Sequence, residues 1–527
     1  MYKIHTKLTV AWQSPLLSGL ILLTAAISPA ALAHCPPLAN VSSLHTQARQ
    51  AFTETYGRSY WLQAGRLGTL AAELQALQFD GLNPADYHLD SIKQSAKYLA
   101  TWGIILDCDA QIASHAYLLA LADLRFGRAR TLGVDPVWYA ARLRPQAEPA
   151  ELLKLAAVGE TGIADAFAQA RPELMHYRKL RLAYQKALHT LPATWPYMPA
   201  GPTLSQGDRD ARVAILKLRL ASEGYYSGTG PEDLSDPGFN EQLTVALKHF
   251  QRRHGLQIDG RAGPATLHEL NVTPAERLAQ IRSNLERLRW LPADTHQHLL
   301  LVNIAAATIA YYTNGERVWS GRAQVGQPER ATPQLKSIIT HVTVNPSWTV
   351  PTSIFIKDQL PHILKNPAYL QQHNIRVFDR QGQEQNTADV DWSQPWRVSL
   401  KQDPGPGNAL GKVVLRFANP FAVYLHDTPS ASLFNTPSRF YSSGCVRVED
   451  ALTLTRILLE TNAPRRQQIF EQALASGESL NVHLARGVPL VMSYWTADAD
   501  SDGTVYYHPD TYQDDKRVLG LLSHFAP

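Results

Sequence analysis

From Phe52 to Tyr184 the apolar residues return every three or four positions, as at Leu67, Leu70, Leu74 and Leu77, or Tyr117, Leu118, Leu121 and Leu124. That period lines them on one face of a helix and predicts a helical N-terminal region. Turns at Asp80-Gly81 through Pro84 and from Gly133 to Pro136 punctuate it. Pro192, Pro196, Pro199, Gly201 and Pro202 then crowd into a linker. Two more helical stretches follow, Asp208 to Glu223 and Asn240 to His254, with a glycine-bearing loop after them, and another helix runs from Ala275 to Leu291.

Beyond Leu291 the pattern changes to strands. Leu299–Ile304, Thr308–Tyr312, Arg317–Ser320 and Ala323–Val325 read as a meander turning at Asn314-Gly315. Ile338–Val344, Lys412–Phe417 and Phe421–His426 are further strands. Between them Ile354 to Phe378 carries a helical pattern broken at Asn366-Pro367. With the polar stretch to Trp396 it predicts a subdomain inserted over the sheet, and Gln402–Gly411 forms a rigid loop leading back. The fold class is therefore multidomain α+β: an all-α scaffold over 34–200, a small three-helix domain over 201–274, and a β-sandwich-like domain over 285–520 with a cap inserted at 354–400.

The first 33 residues read as an export signal: Lys3 and Lys7, an apolar run from Leu16 to Ile27, and a small-x-small site at Ala31 and Ala33. The apolar run is shorter than the ~20 residues a membrane span needs. His34 stands where a lipidated cysteine at position 35 would require a small residue. The expectation is a periplasmic protein with no transmembrane span in its mature form. Net charge is +4, and loss of Lys3 and Lys7 leaves 48 basic against 46 acidic residues, too balanced for a nucleic-acid binder. Of three cysteines, Cys35 and Cys108 are candidates for a disulfide, which leaves Cys445 over. An odd cysteine in an exported protein is either a link to another chain or a working thiol.

Cys445 has the setting of a working thiol. It follows Ser442, Ser443 and Gly444 in a small-residue turn, and His426 ends a strand upstream. A loop returning to the neighbouring strand brings thiol and imidazole to one end of the sheet. A free thiol is barely ionised at neutral pH, its reference pKa being about 8.5, and an adjacent imidazole removes that obstacle by taking the proton. Gly444 leaves room for a substrate carbonyl, and the N–H groups of Gly444 and Cys445 are candidate oxyanion donors. A helix beginning near Glu449-Asp450 directs its positive end toward the turn. The alternative is an inert buried thiol, which the histidine and glycine context disfavours. No His-Glu-x-x-His and no paired-cysteine motif is present, so no metal and no cofactor is expected. Asp498, Asp500, Asp502 and Gly503 resemble the start of a calcium loop, but Pro509 stands where its glutamate belongs, and a hairpin turn is the simpler reading.

The segment from His426 to Val448, with Ser-x-Gly-Cys-Val-Arg at its end, resembles the active-site segment of the L,D-transpeptidase (YkuD-type) family, in its large periplasmic subgroup. Asp123–Arg128, Val344–Pro351, Gln402–Pro406 and Ser493–Thr496 share the resemblance. Residues 201–274 resemble a peptidoglycan-binding domain through Phe250, Gln251, Asp259, Gly260, Gly263 and Thr266, of which Phe250 and the glycines are equally explained as core and turns. Many small family members carry a histidine before Gly-Cys, where this chain has Ser443, as the large subgroup does. The resemblance implies that Cys445 attacks the stem-peptide carbonyl at position three, D-alanine leaves, and an amine of a second stem resolves the thioester into a 3→3 cross-link. It implies His426 as base, susceptibility to carbapenems, partners among the stem peptides and glycan of the wall, and supply of donor stems by a D,D-carboxypeptidase.

Arg447 either meets a substrate carboxylate or clamps the loop. Tyr424, two residues before His426 and hence on the same strand face, is a candidate for lining the donor site. Trp348 is another, although lone aromatics more often belong to a core. Three function classes follow: the transpeptidase, an L,D-carboxypeptidase that hydrolyses the same thioester, and a non-catalytic wall-binding protein.

Overall fold

A computed structural model of the full chain describes residues 38, 43–131, 139–140, 149–228, 230–291, 298–462 and 464–523. The expected leader over 1–33, Cys35 and the turn at Gly133–Pro136 lie outside the described residues. Cys108 is disulfide-bonded and Cys445 is free. No helix among the described residues is long and apolar enough to cross a membrane.

The N-terminal region is a helical assembly around Asp107–Phe126, which is buried on nearly all sides from Ala110 onward. A helix apolar all round needs neighbours all round, supplied here by Ser43–Tyr56, Leu89–Trp102, Pro149–Val158 and Ile163–Ala170. The next region packs helices Ala211–Ala221, Glu241–Arg253 and Pro264–Leu270 on Leu216, Leu220, Leu243, Leu247 and Phe250. The Gln251 amide reaches into the following loop, donating to Asp259 (2.8 Å) and to the Arg261 carbonyl (3.0 Å) and accepting from Gly260 N–H (2.8 Å). These motif residues hold the turn together.

Helix Pro274–Arg289 opens on a capping box between Thr273 and Glu276 and is strongly polar, yet Arg277, Ser283, Asn284, Glu286, Arg287 and Arg289 are buried. It runs between the helical region and the C-terminal domain. Arg289 donates to the Asp80 carbonyl (2.7 Å) on one side, and Asn284 to Thr496 (2.7 Å) on the other.

The C-terminal domain contains β1 (His298–Asn303), β2 (Thr308–Thr313), β3 (Glu316–Gly326), β4 (Leu335–Val344), β5 (Val413–Phe417), β6 (Leu425–His426), β7 (Phe440–Ser442), β8 (Val446–Val448) and β9 (Leu480–Ser493). Their order is β4-β5-β6-β8-β3-β2-β1-β9, with β7 on β3. The long β9 pairs with β1 and also along β4, so the sheet closes on itself. The layers expected of a sandwich are two sides of one continuous sheet. Alternate residues Val342, Val344, Val413, Leu415, Leu425, Val446 and Val448 fill its core with Leu454, Leu458 and Phe470 from the helices that follow β8.

The segment inserted between β4 and β5 has its own core of Val350, Phe355, Ile363, Leu370, Ile375, Val377 and Leu400. The helical pattern read over Ile354 to Phe378 holds only in short pieces up to Gln372, and Ile375–Phe378 is a strand. Ile375 and Val377 alternate into the core while the backbone pairs with Ser399–Gln402, and that long-range ladder overrides local preference.

Candidate active site

β6 and β8 run parallel, with Leu425 opposite Val446 and His426 opposite Arg447. The Val446 N–H donates to the Tyr424 carbonyl at 2.9 Å, which places Cys445 beside Tyr424 one step back in the register. Leu425, Val446 and Val448 point into the core, so alternation sends Tyr424, His426, Cys445 and Arg447 to the opposite face, with Cys445, just ahead of β8, also packed against the edge of that core. Strand geometry sets the Cα atoms of Cys445 and His426 about 8 Å apart, a span their side chains can bridge. Among the described residues no hydrogen bond joins the thiol and the imidazole.

His426 is buried, and its Nδ1–H donates to the Asp427 carbonyl at 2.5 Å. A carbonyl accepts only, so the proton sits on Nδ1 and Nε2 keeps its lone pair. Asp427 is fixed in turn, its carboxylate accepting from the Lys412 N–H at 2.8 Å. Gly411 sits against that carboxylate: a Cβ there would meet it at 2.4 Å, in a backbone already at φ +62°. Burial, then the charges of Arg447 and Arg416, push the His426 pKa down to about 4. Burial pushes the Cys445 thiol up, opposed by the Tyr424 N–H and by Arg447 and Arg416. At neutral pH the pair is therefore a neutral thiol and a neutral imidazole.

The turn before Cys445 differs from expectation in one respect. Gly444 N–H donates to Ser442 Oγ at 3.1 Å, and is engaged inside the turn. The Cys445 N–H has no acceptor among the described residues and remains as the donor of the expected pair. Gly444 is required for its backbone, at φ +109°, since a Cβ there would find ordinary contacts only. Ser443 Oγ accepts from Arg330 at 2.8 Å, and the same guanidinium makes a two-pronged pair with Asp358 of the inserted segment, at 2.5 and 2.8 Å. Thr332 donates to the Gly444 carbonyl at 3.0 Å. Arg447 is half-buried, donates to Gln324 at 3.1 Å, and has its pKa lowered by burial, with only Cys445 opposing.

Trp348 is not part of this constellation: it begins the inserted segment, pairs with Gln402 and packs on that segment's own core. Sequence reasoning missed Arg330, Thr332, Asp358 and Arg416, which carry no motif and meet the site only through the fold. Among the described residues no group of three or more histidines, cysteines and acids is arranged to hold a metal. Asp498 to Tyr507 forms a hairpin, with Gly503 in the turn.

Comparison with known proteins places three regions of the chain in known families. Residues 297–467 match the model of the L,D-transpeptidase catalytic domain (YkuD), residues 46–183 that of the "Scaffold domain", and residues 209–270 that of the "Putative peptidoglycan binding domain". A Haemophilus influenzae protein named "Putative L,D-transpeptidase" is 34% identical over 258 residues, 48% of this chain and 50% of that one. The "Zinc D-Ala-D-Ala carboxypeptidase" of Streptomyces albus G is 38% identical over 68 residues, 13% of this chain and 26% of that one. The chain thus spans half the length of the first relative and about a quarter of the second. Among solved structures, the L,D-transpeptidase of Stackebrandtia nassauensis is 15% identical over 56% of this chain and 96% of that one, at a TM-score of 0.20 that carries no argument. The C-terminal domain is a YkuD-type L,D-transpeptidase catalytic domain, in a chain that also carries a peptidoglycan-binding domain.

Proposed function

We propose that this chain is a periplasmic L,D-transpeptidase that forms 3→3 peptidoglycan cross-links through a thioester on Cys445. The observation that carries the proposal is the Nδ1–H of His426 tied to the Asp427 carbonyl, which leaves Nε2 as a proton acceptor on the face that holds the thiol. Cys445 Sγ attacks the carbonyl carbon of the third stem residue while His426 Nε2 takes the thiol proton. Because both groups rest neutral, proton transfer accompanies attack. The Tyr424 N–H, Arg447 and Arg416 stabilise the negative sulfur as it forms. The Cys445 N–H serves the oxyanion. Collapse breaks the C–N bond, and the imidazolium gives its proton to the leaving D-alanine. An amine of a second stem then attacks the thioester, Nε2 takes its proton, and the thiol is released protonated.

The peptidoglycan-binding domain supports wall glycan and stem peptides as partners, with donor tetrapeptides supplied by a D,D-carboxypeptidase. Purified protein incubated with disaccharide-tetrapeptide tests the reading by mass spectrometry. A dimer lacking one D-alanine and carrying a 3→3 link, absent from Cys445→Ala and His426→Ala, is the expected product. Tripeptide alone assigns a carboxypeptidase. No product, together with no carbapenem adduct on Cys445, assigns a wall-binding protein.

A further inference from the structure

The face that carries Cys445 and His426 continues across the sheet, away from the turn. Arg416 on β5 lies over Tyr424, its guanidinium carbon 4.5 Å from the ring centroid. Arg416 pairs in register with His341 on β4, and His341 with His483 on β9. One row of side chains therefore runs Cys445, Tyr424, Arg416, His341, His483. The next row runs His426, Val414, Thr343, Asn481 through the same ladders. Both rows lead into a cavity of about 420 Å³ whose lining includes His341, Thr343, Ser347, Arg416, Ser479 and Asn481.

The cavity is cationic and lacks a counter-charge. Arg416 Nε donates to Thr343 Oγ1 at 3.1 Å, and Thr343 donates onward to Asn481 at 2.8 Å. The two terminal nitrogens of Arg416 have no acceptor among the described residues, and no carboxylate there pairs with it. The rings of His341 and His483 lie 4.9 Å apart, and Arg466 donates to the His483 carbonyl. Burial, then His483 and Arg416, hold the His341 pKa below its ordinary value. Here the open positions fit an oxyanion, held by a planar guanidinium fork with imidazoles and hydroxyls around it.

Distance identifies the anion. Strands are ~4.8 Å apart, so Arg416 stands about 10 Å and His341 about 14 Å from Cys445 along the row, the length of an extended peptide of roughly three to four residues. We propose that this cavity is a carboxylate-binding subsite that receives a free carboxylate of a wall stem peptide while its partner carbonyl or amine reacts at Cys445. The proposal rests on the transpeptidase reading and names the side chains that select an acidic stem.

Binding tests it without turnover. The full chain carrying Cys445→Ala is titrated with disaccharide-tetrapeptide and with the same compound whose carboxylates are converted to carboxamides. Amidation is expected to weaken binding about tenfold, the worth of one charge-assisted contact. Adding Arg416→Gln, or separately His341→Gln with His483→Gln, should reduce that penalty to less than about twofold. An amidation penalty that is the same with and without these side chains overturns the subsite. The histidine pair lies outside the Cys445–Tyr424 contact, so its result is independent of damage to the catalytic turn. In the active protein, a slower thioester formation in the histidine double variant assigns the carboxylate to the donor stem. Accumulation of the thioester assigns it to the acceptor. Unchanged rates for both steps overturn the proposal. Failure of wild type to form any cross-link would refute the transpeptidase reading and still leave the titration to decide the subsite.

Discussion

Two regions of this molecule bury arginines, and they treat them oppositely. In the helix Pro274–Arg289, Arg289 faces Glu286 at 2.9 Å and Arg287 pairs with Asp515 and Asp514, all within the junction between helical region and catalytic domain. Burial disfavours these guanidiniums, but their carboxylates outweigh it and raise both pKa values. On the face that carries Cys445, Arg447 is half-buried, donates to a glutamine amide, and its pKa falls. A buried charge neutralised from within holds a junction together. A buried charge left without a carboxylate keeps its capacity for a ligand.

The sharpest test of the catalytic side is Cys445→Ala. Cross-linking should fall on the order of 10⁴-fold or more, while the thermal midpoint stays near wild type. Loss of folding instead would make Cys445 a core residue. On the junction side, Glu286→Ala strands Arg289 and removes the acceptor of Trp290 Nε1 (2.9 Å) and of Ala129 N–H (3.1 Å). We expect a loss of ~3–5 kcal/mol, read as a lowered denaturation midpoint, with activity per folded molecule retained. An unchanged midpoint would break the comparison.

Arg447→Gln should reverse that pattern, leaving stability within about 1 kcal/mol, since no ion pair is broken, and lowering the acylation rate roughly tenfold to a hundredfold. A stability loss with intact rates would make Arg447 the clamp that the sequence left open. His426 supplies a pH test. Its folded pKa of about 4 lies below the ordinary 6.5. The unfolded chain therefore takes up a proton that the fold refuses, and stability is complete above pH 6.5 and lost as pH falls toward 4. His426→Gln should flatten that part of the stability curve, and the acid limb of wild-type acylation should lie near pH 4. A limb at 6.5 would show an imidazole open to water.

The smallest effect is expected at Asp358→Asn. Arg330 and Asp358 keep 23% and 36% of their side-chain surface exposed, so water still screens the pair and stability should change by about 1 kcal/mol or less. Releasing Arg330 should nonetheless loosen its grip on Ser443 and change acylation a few-fold, measured with a carbapenem as acylating agent. Identical rates would uncouple the inserted segment from the turn.

Much of this was legible along the chain. Helical periodicity marks Arg66–Ala76 and Glu241–Arg253, and strand alternation marks β1 through β5, because each reports which side of its own element meets the core. The turn before Cys445 and the strand ending at His426 were legible for a related reason: a small-residue turn and a strand end each leave their mark in a short stretch. Strand Ile375–Phe378 was hidden, since its longer ladder, with Ser399–Gln402, lies more than twenty residues away and its four residues carry too little pattern to oppose a helical neighbourhood. Helix Pro274–Arg289 was visible as a helix, but its polar surface gave no sign of burial.

By itself, then, the sequence determined the kinds of most elements, their order, and the setting of Cys445 after a small-residue turn and of His426 at a strand end, since local periodicity and turn chemistry act over a few residues. Only the tertiary structure decided that Gly444 N–H is engaged by Ser442, that Ser443 is held by Arg330 and Asp358, and which arginines find carboxylates. Those outcomes depend on groups distant in sequence meeting in space. Charge compensation is a sum over neighbours, and the neighbours of Arg287 and Arg447 are set by packing, with no trace in the residues beside them.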